Sequence, residues 1–187
     1  MRRRPRPDRA SPTPAREAGS TSPASAGEVA RSAGEGAARR AALALLAGRD
    51  FSRHELAARL LRKGHTAPAV EATVAGLVLE GLLREERYVE HFVTQHAGRG
   101  RGPARIRMEL REKGVDAELI DQALDAGAAD WVRAARDARR RKFGASPPAD
   151  YRERAKQARF LQYRGFSSEQ IRAALGPGED EPDHDDH

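Results

Sequence analysis

Four arginines, Arg99, Arg101, Arg105 and Arg107, bracket the loop Gly100-Arg101-Gly102-Pro103 of this 187-residue sequence. A second group runs Arg139-Arg140-Arg141-Lys142 and continues with Lys156, Arg159 and Arg164. The chemistry these residue types offer is anion recognition. A planar guanidinium fork suits phosphate and carboxylate alike, so either a nucleic-acid backbone or an acidic protein face fits, and charge alone does not choose between them. Four consecutive bases repel one another, which favours an anionic partner over a merely solvated face. Phe160, Tyr163 and Phe166 lie among the second group, where rings can stack on nucleobases. Phe160 and Phe166 bracket a helix stop and are better read as core, while Tyr163 is left open. With Lys113, these bases and Tyr163 are the candidate contact residues.

Covalent chemistry has no such support. No glycine loop is followed by Lys-Ser or Lys-Thr, no nucleophile elbow is present, and no two histidines flank a glutamate at helical spacing. His54, His65, His91 and His96 are scattered, and His91 and His96, five apart, share one helix face poorly. Glu85, Glu86 and Glu90 read as a solvated helix start whose acids complement the dipole rather than as a carboxylate site. His184 and His187 flank Asp185 and Asp186, which reads as an acidic end rather than a metal centre. Zero cysteines excludes thiol chemistry and a disulfide framework. The expectation is a non-enzyme with no cofactor and no metal.

The net charge of +6 is segmental. Residues 1–36 carry seven bases and four acids, residues 37–176 carry 27 and 18, and residues 177–187 carry six acids and no base. Within the middle, residues 131–176 hold twelve bases against four acids. Arginine enrichment in an Ala-rich chain can reflect codon composition, but codon composition does not explain the clustering. The longest apolar run, Ala41–Ala47, has seven residues, where a membrane span needs about twenty. A soluble, cytoplasmic protein with no membrane contact is expected.

The elements that must hold these cations follow from an internal repeat. Gly64, Gly114 and Gly165 are 50 and 51 residues apart. Each has a base just before it and a leucine four residues before it (Leu60, Leu110, Leu161). Each is followed at plus two by Thr66, Asp116 or Ser167, and at plus six and plus ten by aliphatic residues. That is a helix, a glycine stop in the left-handed region and a capped helix, three times over. A further helix precedes each pair. The predicted fold is all-α: three tandem three-helix repeats over 37–82, 83–130 and 131–176, forming an elongated body that can curve. The leucines and glycines of the repeat serve the scaffold. Residues 1–36, poor in large aliphatics, and the acidic 177–187 read as disordered tails.

The string Arg154-Ala155-Lys156-Gln157-Ala158-Arg159-Phe160-Leu161 leading to Arg164-Gly165-Phe166 resembles the C-terminal motif of the RecX family, bacterial regulators of the RecA recombinase. Glu86-Arg87-Tyr88, then Arg99-Gly100 to Arg105-Ile106, Leu110 and Lys113-Gly114-Val115, resembles that family's central stretch, and Lys142-Phe143-Gly144 the end of its seventh helix. The resemblance covers residues 37–176; the two tails depart from it. It implies a monomeric, non-enzymatic modulator that binds RecA and lodges in the groove of the RecA–ssDNA filament, restraining ATP hydrolysis, strand exchange and coprotease activity. The alternative is a stand-alone protein binding single- or double-stranded DNA through helix-turn-helix-like repeats.

Overall fold

The helix stops come first, because they set the repeat. In the computed structural model, which describes residues 23–126 and 129–176, Gly64, Gly114 and Gly165 have φ of 89°, 71° and 89°. The residue after each glycine donates its amide to the leucine four before the glycine: His65 to Leu60 at 3.3 Å, Val115 to Leu110 and Phe166 to Leu161 at 3.2 Å. The glycine itself donates to the next residue along, Leu61, Arg111 or Gln162. This pair of bonds is the Schellman motif, and it satisfies carbonyls that the helix end would leave bare. The repeated leucine therefore has two roles. Its carbonyl accepts the closing bond, and its side chain is fully buried at all three positions.

Nine α-helices lie among the described residues, with no strand. The first module contains α1 (Pro23–Leu46), α2 (Arg53–Arg62) and α3 (Ala67–Leu79). The second contains α4 (Glu85–Gly98), α5 (Pro103–Glu112) and α6 (Ala117–Asp125). The third contains α7 (Trp131–Phe143), α8 (Tyr151–Tyr163) and α9 (Ser168–Leu175). Caps match the residue types: Ser52, Asp116, Asp130, Asp150 and Ser167 each accept an amide of the following turn, and Ser167 with Gln170 closes a full capping box. Thr66 stands at its N-cap without a side-chain bond, and Pro68 in the first turn needs no amide partner there.

Each module has its own core. Leu56, Leu60, Val70, Leu77 and Leu83 pack in the first, Val89, Val93, Ile106, Leu110 and Ile120 in the second, and Leu161, Phe166, Ile171 and Leu175 in the third. No buried residue is shared between clusters. Trp131 packs against both the second and third, and its indole N–H donates to the Leu124 carbonyl at 3.3 Å. Across a module boundary, α4 packs on α7.

One expectation needs correction at the N-terminal side. Helix α1 begins at Pro23, so residues 23–36 are helical rather than part of a tail reaching to 36. Among the side chains described in this stretch, Glu28, Ser32, Ala33 and Glu35 are exposed, and Ala38 is the first buried one. What the composition misses is propagation. Once Ala38 and Ala42 anchor the helix, further turns extend an existing nucleus, which Ala24, Ala26, Ala30 and Ala33 favour and Gly27, Gly34 and Gly36 oppose. Residues 1–22 and 177–187, with the remainder of the expected tails, lie outside the described residues, as do His184 and His187.

Candidate polyanion interface

The third module presents its cations on α7 and α8. Arg140, Arg141 and Lys142 are exposed on α7, and Lys156 and Arg159 on α8, with Arg164 half-buried at the helix end. Two rings hold this group together. Phe143 and Phe160 meet edge to face at 5.3 Å between centroids. Around them stand Lys142 Nζ, 6.0 Å from the Phe160 ring, Lys156 Nζ, 6.0 Å from Phe143, and Arg164 Cζ, 5.1 Å from Phe160. A cation over an aromatic face is held there weakly while its polar head stays hydrated, so these three are placed without being neutralised. Phe166 is buried, as read from its spacing, and Tyr163 is 80 % exposed.

Arg139 does not belong to this surface, which corrects the expectation that it contacts a partner. It is 6 % exposed. Its Nη1 donates to the Ser146 carbonyl at 2.7 Å and to Gln157 Oε1 at 3.4 Å, and its Nη2 donates to the Ala145 carbonyl at 3.1 Å. Successive residues on a helix point about 100° apart, so a run of four bases cannot all face one way. One of them turns inward and pins the loop between α7 and α8.

The arginines of the central loop are largely spoken for. Arg101 and Arg105 both donate to Glu109, Arg105 Nε at 3.0 Å, and Arg107 Nε donates to Asp121 at 2.8 Å. Burial alone would raise the Glu109 carboxyl, but the bonds from Arg105 and Arg101 outweigh it and hold its pKa below the usual carboxylate value. His96, whose Nδ1 is 3.0 Å from Arg101 Nη1, is pushed down by burial and then by Arg101. A guanidinium only donates, so His96 Nδ1 is the acceptor in this contact, and Glu109 Oε2 lies 3.2 Å from the same nitrogen. Arg99 is exposed and has no ion-pair partner among the described residues. Glu109 stands four residues after Arg105, so the helical spacing of opposite charges was the available signal for this neutralisation. Lys113 is half-buried beside the Phe92 ring, in a cleft of about 530 Å³ between the first two modules.

The two basic regions meet because the modules are joined through the glycine turns. The amide of Gly102 donates to the Arg164 carbonyl at 2.8 Å and that of Ala104 to the Gly165 carbonyl at 3.1 Å. A Cβ on Gly102 would lie 2.3 Å from the Gly165 carbonyl carbon, and one on Gly165 would lie 2.5 Å from the Arg105 amide. The preceding joint is built alike. Ser52 Oγ donates to the Lys113 carbonyl at 3.0 Å, and a Cβ on Gly114 would lie 2.7 Å from His54 Cγ. In both, the N-terminus of a module's second helix seats on the glycine turn of the next. Gly64, in the first module, has nothing within 4 Å. The second joint draws Arg141 over Gly100, where a Cβ would meet Arg141 Nη2 at 2.8 Å. Arg99, Arg141 and Arg164 therefore border one seam. At the first joint, buried Glu85 accepts the Arg53 amide at 2.9 Å and its Nε at 3.2 Å, so this acid is a clamp rather than a solvated helix start.

Comparison with known proteins bears directly on this row of modules. The family models for the first, second and third three-helix domains of RecX match residues 38–77, 85–124 and 129–175, in that order. The chain belongs to the RecX family. It is 47 % identical over 145 residues to "Regulatory protein RecX" of Halorhodospira halophila, a match covering 78 % of this chain and 90 % of that one. It is 47 % identical over 146 residues to the protein of the same name from Pseudomonas fluorescens Pf-5, covering 78 % and 94 %. The crystal structure of RecX from Lactobacillus salivarius superposes with a TM-score of 0.64 at 20 % identity, over 75 % of this chain and 93 % of that one. A second RecX crystal structure gives 0.66 at 21 %, over 79 % and 74 %. At those identities the superpositions speak for the fold. Among the described residues no group of three or more His, Asp or Glu is placed to hold a metal ion, and no helix is long and apolar enough to cross a membrane.

Proposed function

We propose that this RecX-family chain is a non-enzymatic cytoplasmic regulator that binds RecA and the RecA–ssDNA filament and restrains the recombinase's ATP hydrolysis, strand exchange and coprotease activity. The observation that carries the reading is the seam of unneutralised bases at the second joint, on a row of modules matching all three RecX domains. Arg99, Arg140, Arg141, Lys142, Lys156, Arg159 and Arg164 are the residues assigned to the anionic partner, with Tyr163 beside them. Arg101, Arg105 and Arg107 spend their charge inside the second module, and Lys113 serves the first joint. Several modules in series can touch successive subunits of a helical polymer, and linked weak contacts gain affinity through effective concentration.

The second reading, a stand-alone DNA reader of the helix-turn-helix kind, is disfavoured by where the bases sit. The helices after each glycine turn, α3, α6 and α9, would have to enter the groove, and between them they hold one base, Arg172. Steady-state ATP hydrolysis by RecA on single-stranded DNA separates the readings. The chain, added well below one copy per RecA, is expected to slow hydrolysis, and the effect should weaken when Arg140, Arg141 and Lys142 are all changed to Ala. Unaltered hydrolysis would sink the proposal.

A further inference from the structure

Eleven residues follow Gly176, and they carry Glu179, Asp180, Glu181, Asp183, Asp185 and Asp186 with no Lys or Arg. The point where they leave the third module is fixed. The Gly176 carbonyl accepts from Arg154 Nη2 at 2.7 Å, and the Ala173 carbonyl from Arg136 Nη2 at 3.1 Å. Helix α9 therefore ends against both α8 and the outer face of α7. That face of α7 carries Arg133, Arg136 and Arg140, spaced three and four residues apart and so aligned in one row. All three are exposed, and none has an ion-pair partner among the described residues. Helix α7 holds six bases and one acid, Asp137.

We propose that residues 177–187 occupy this row as an intramolecular polyanion, which an external partner must displace to reach Arg140 and the bases beyond it. The dimensions allow it. Thirteen helical residues span about 20 Å, and eleven extended residues reach about 36 Å. Pro-Gly is a turn-forming dipeptide, and Pro177-Gly178 stands in the sequence just before the Asp/Glu segment. A tethered segment of this length has an effective concentration in the millimolar range, enough for a weak contact between opposite charges to be filled. The intramolecular contact needs no external partner; the competition alone rests on the function proposed above.

Two measurements separate them. In the first, the full chain is compared by nitrogen-15 NMR with a chain lacking residues 177–187 and with one carrying Asn or Gln at all six acids. Both variants are expected to shift the Arg133, Arg136 and Arg140 resonances the same way, and added salt to bring the parent to the variant positions. Changes confined to residues adjoining Gly176 would overturn the contact. In the second, each form is titrated with a fluorescent oligo-dT. Both variants are expected to bind about tenfold tighter than the full chain at low ionic strength and to converge with it above about 0.5 M salt. Equal affinities throughout would overturn the competition. If no form binds the oligonucleotide, direct contact with nucleic acid fails, and the competition for that ligand fails with it, while the resonances decide the contact.

Discussion

Gly102 donates its backbone amide to the carbonyl of Arg164 at 2.8 Å, across a gap too narrow for a side chain on either glycine of the joint. The second module is thereby seated on the helix stop of the third. The same stop motif thus ends a helix and receives a neighbour, so substitutions at equivalent repeat positions should differ in cost.

Gly64→Ala meets nothing within 4 Å and incurs only the left-handed backbone penalty, about 1–2 kcal/mol. Gly165→Ala adds a Cβ 2.5 Å from the Arg105 amide and is expected to cost about 3 kcal/mol or more. Urea denaturation of the two variants checks the ranking, and small-angle scattering should show a longer molecule for Gly165→Ala alone. Equal losses would mean the joint is loose in solution.

Arg139 and Arg140 are neighbours with opposite roles. Arg139→Ala strips the loop carbonyls of Ala145 and Ser146 of their donor and should lower stability by about 2–3 kcal/mol. Arg139→Lys should recover little of it, because an ammonium cannot reproduce the fork. Arg140→Ala should leave the melting temperature unchanged and weaken binding to RecA filaments. Thermal unfolding and filament co-sedimentation read the two effects, and loss of binding without loss of stability in Arg139→Ala would contradict the assignment.

Glu109 titrates below the ordinary carboxylate value of 4.5 in the folded chain. Its stabilisation is therefore complete above about pH 4.5 and is lost as pH falls through the depressed folded value. Glu109→Gln should flatten that part of the acid limb in equilibrium unfolding. The same change releases Arg101 and Arg105, so affinity for an anionic partner at neutral pH should rise.

His96 behaves in the opposite sense to a salt-bridged histidine. Its folded pKa lies below 6.5, so just under that pH the unfolded chain binds the extra proton and stability falls as the solution is acidified. The fall should end below the folded pKa. Comparing urea midpoints across pH 5 to 7 for the parent and His96→Gln isolates the contribution; the variant should lose less on acidification.

The helix stops were legible because a positive φ, a closing carbonyl and a buried leucine all fall within six residues of chain. The joints were not. Gly102 and Gly165 meet through backbone alone, 63 residues apart, and nothing in side-chain chemistry announces a contact that needs no side chain. Arg139 was misplaced for a related reason: its partners are carbonyls, which every residue has, so a run of bases looks the same whether one turns inward or none does. The pairing of Arg105 with Glu109 was visible in its spacing, whereas that of Arg107 with Asp121 depends on how α5 and α6 pack.

Separate cores joined by a few hydrogen bonds, one buried carboxylate and one shared tryptophan amount to stiff bodies in series with narrow links. Under bending, deformation collects at the links, where glycine turns and single bonds resist least, and each packed interior keeps its shape. A long partner that changes pitch can then be followed by small rotations at two places, while each module's own interior stays dry.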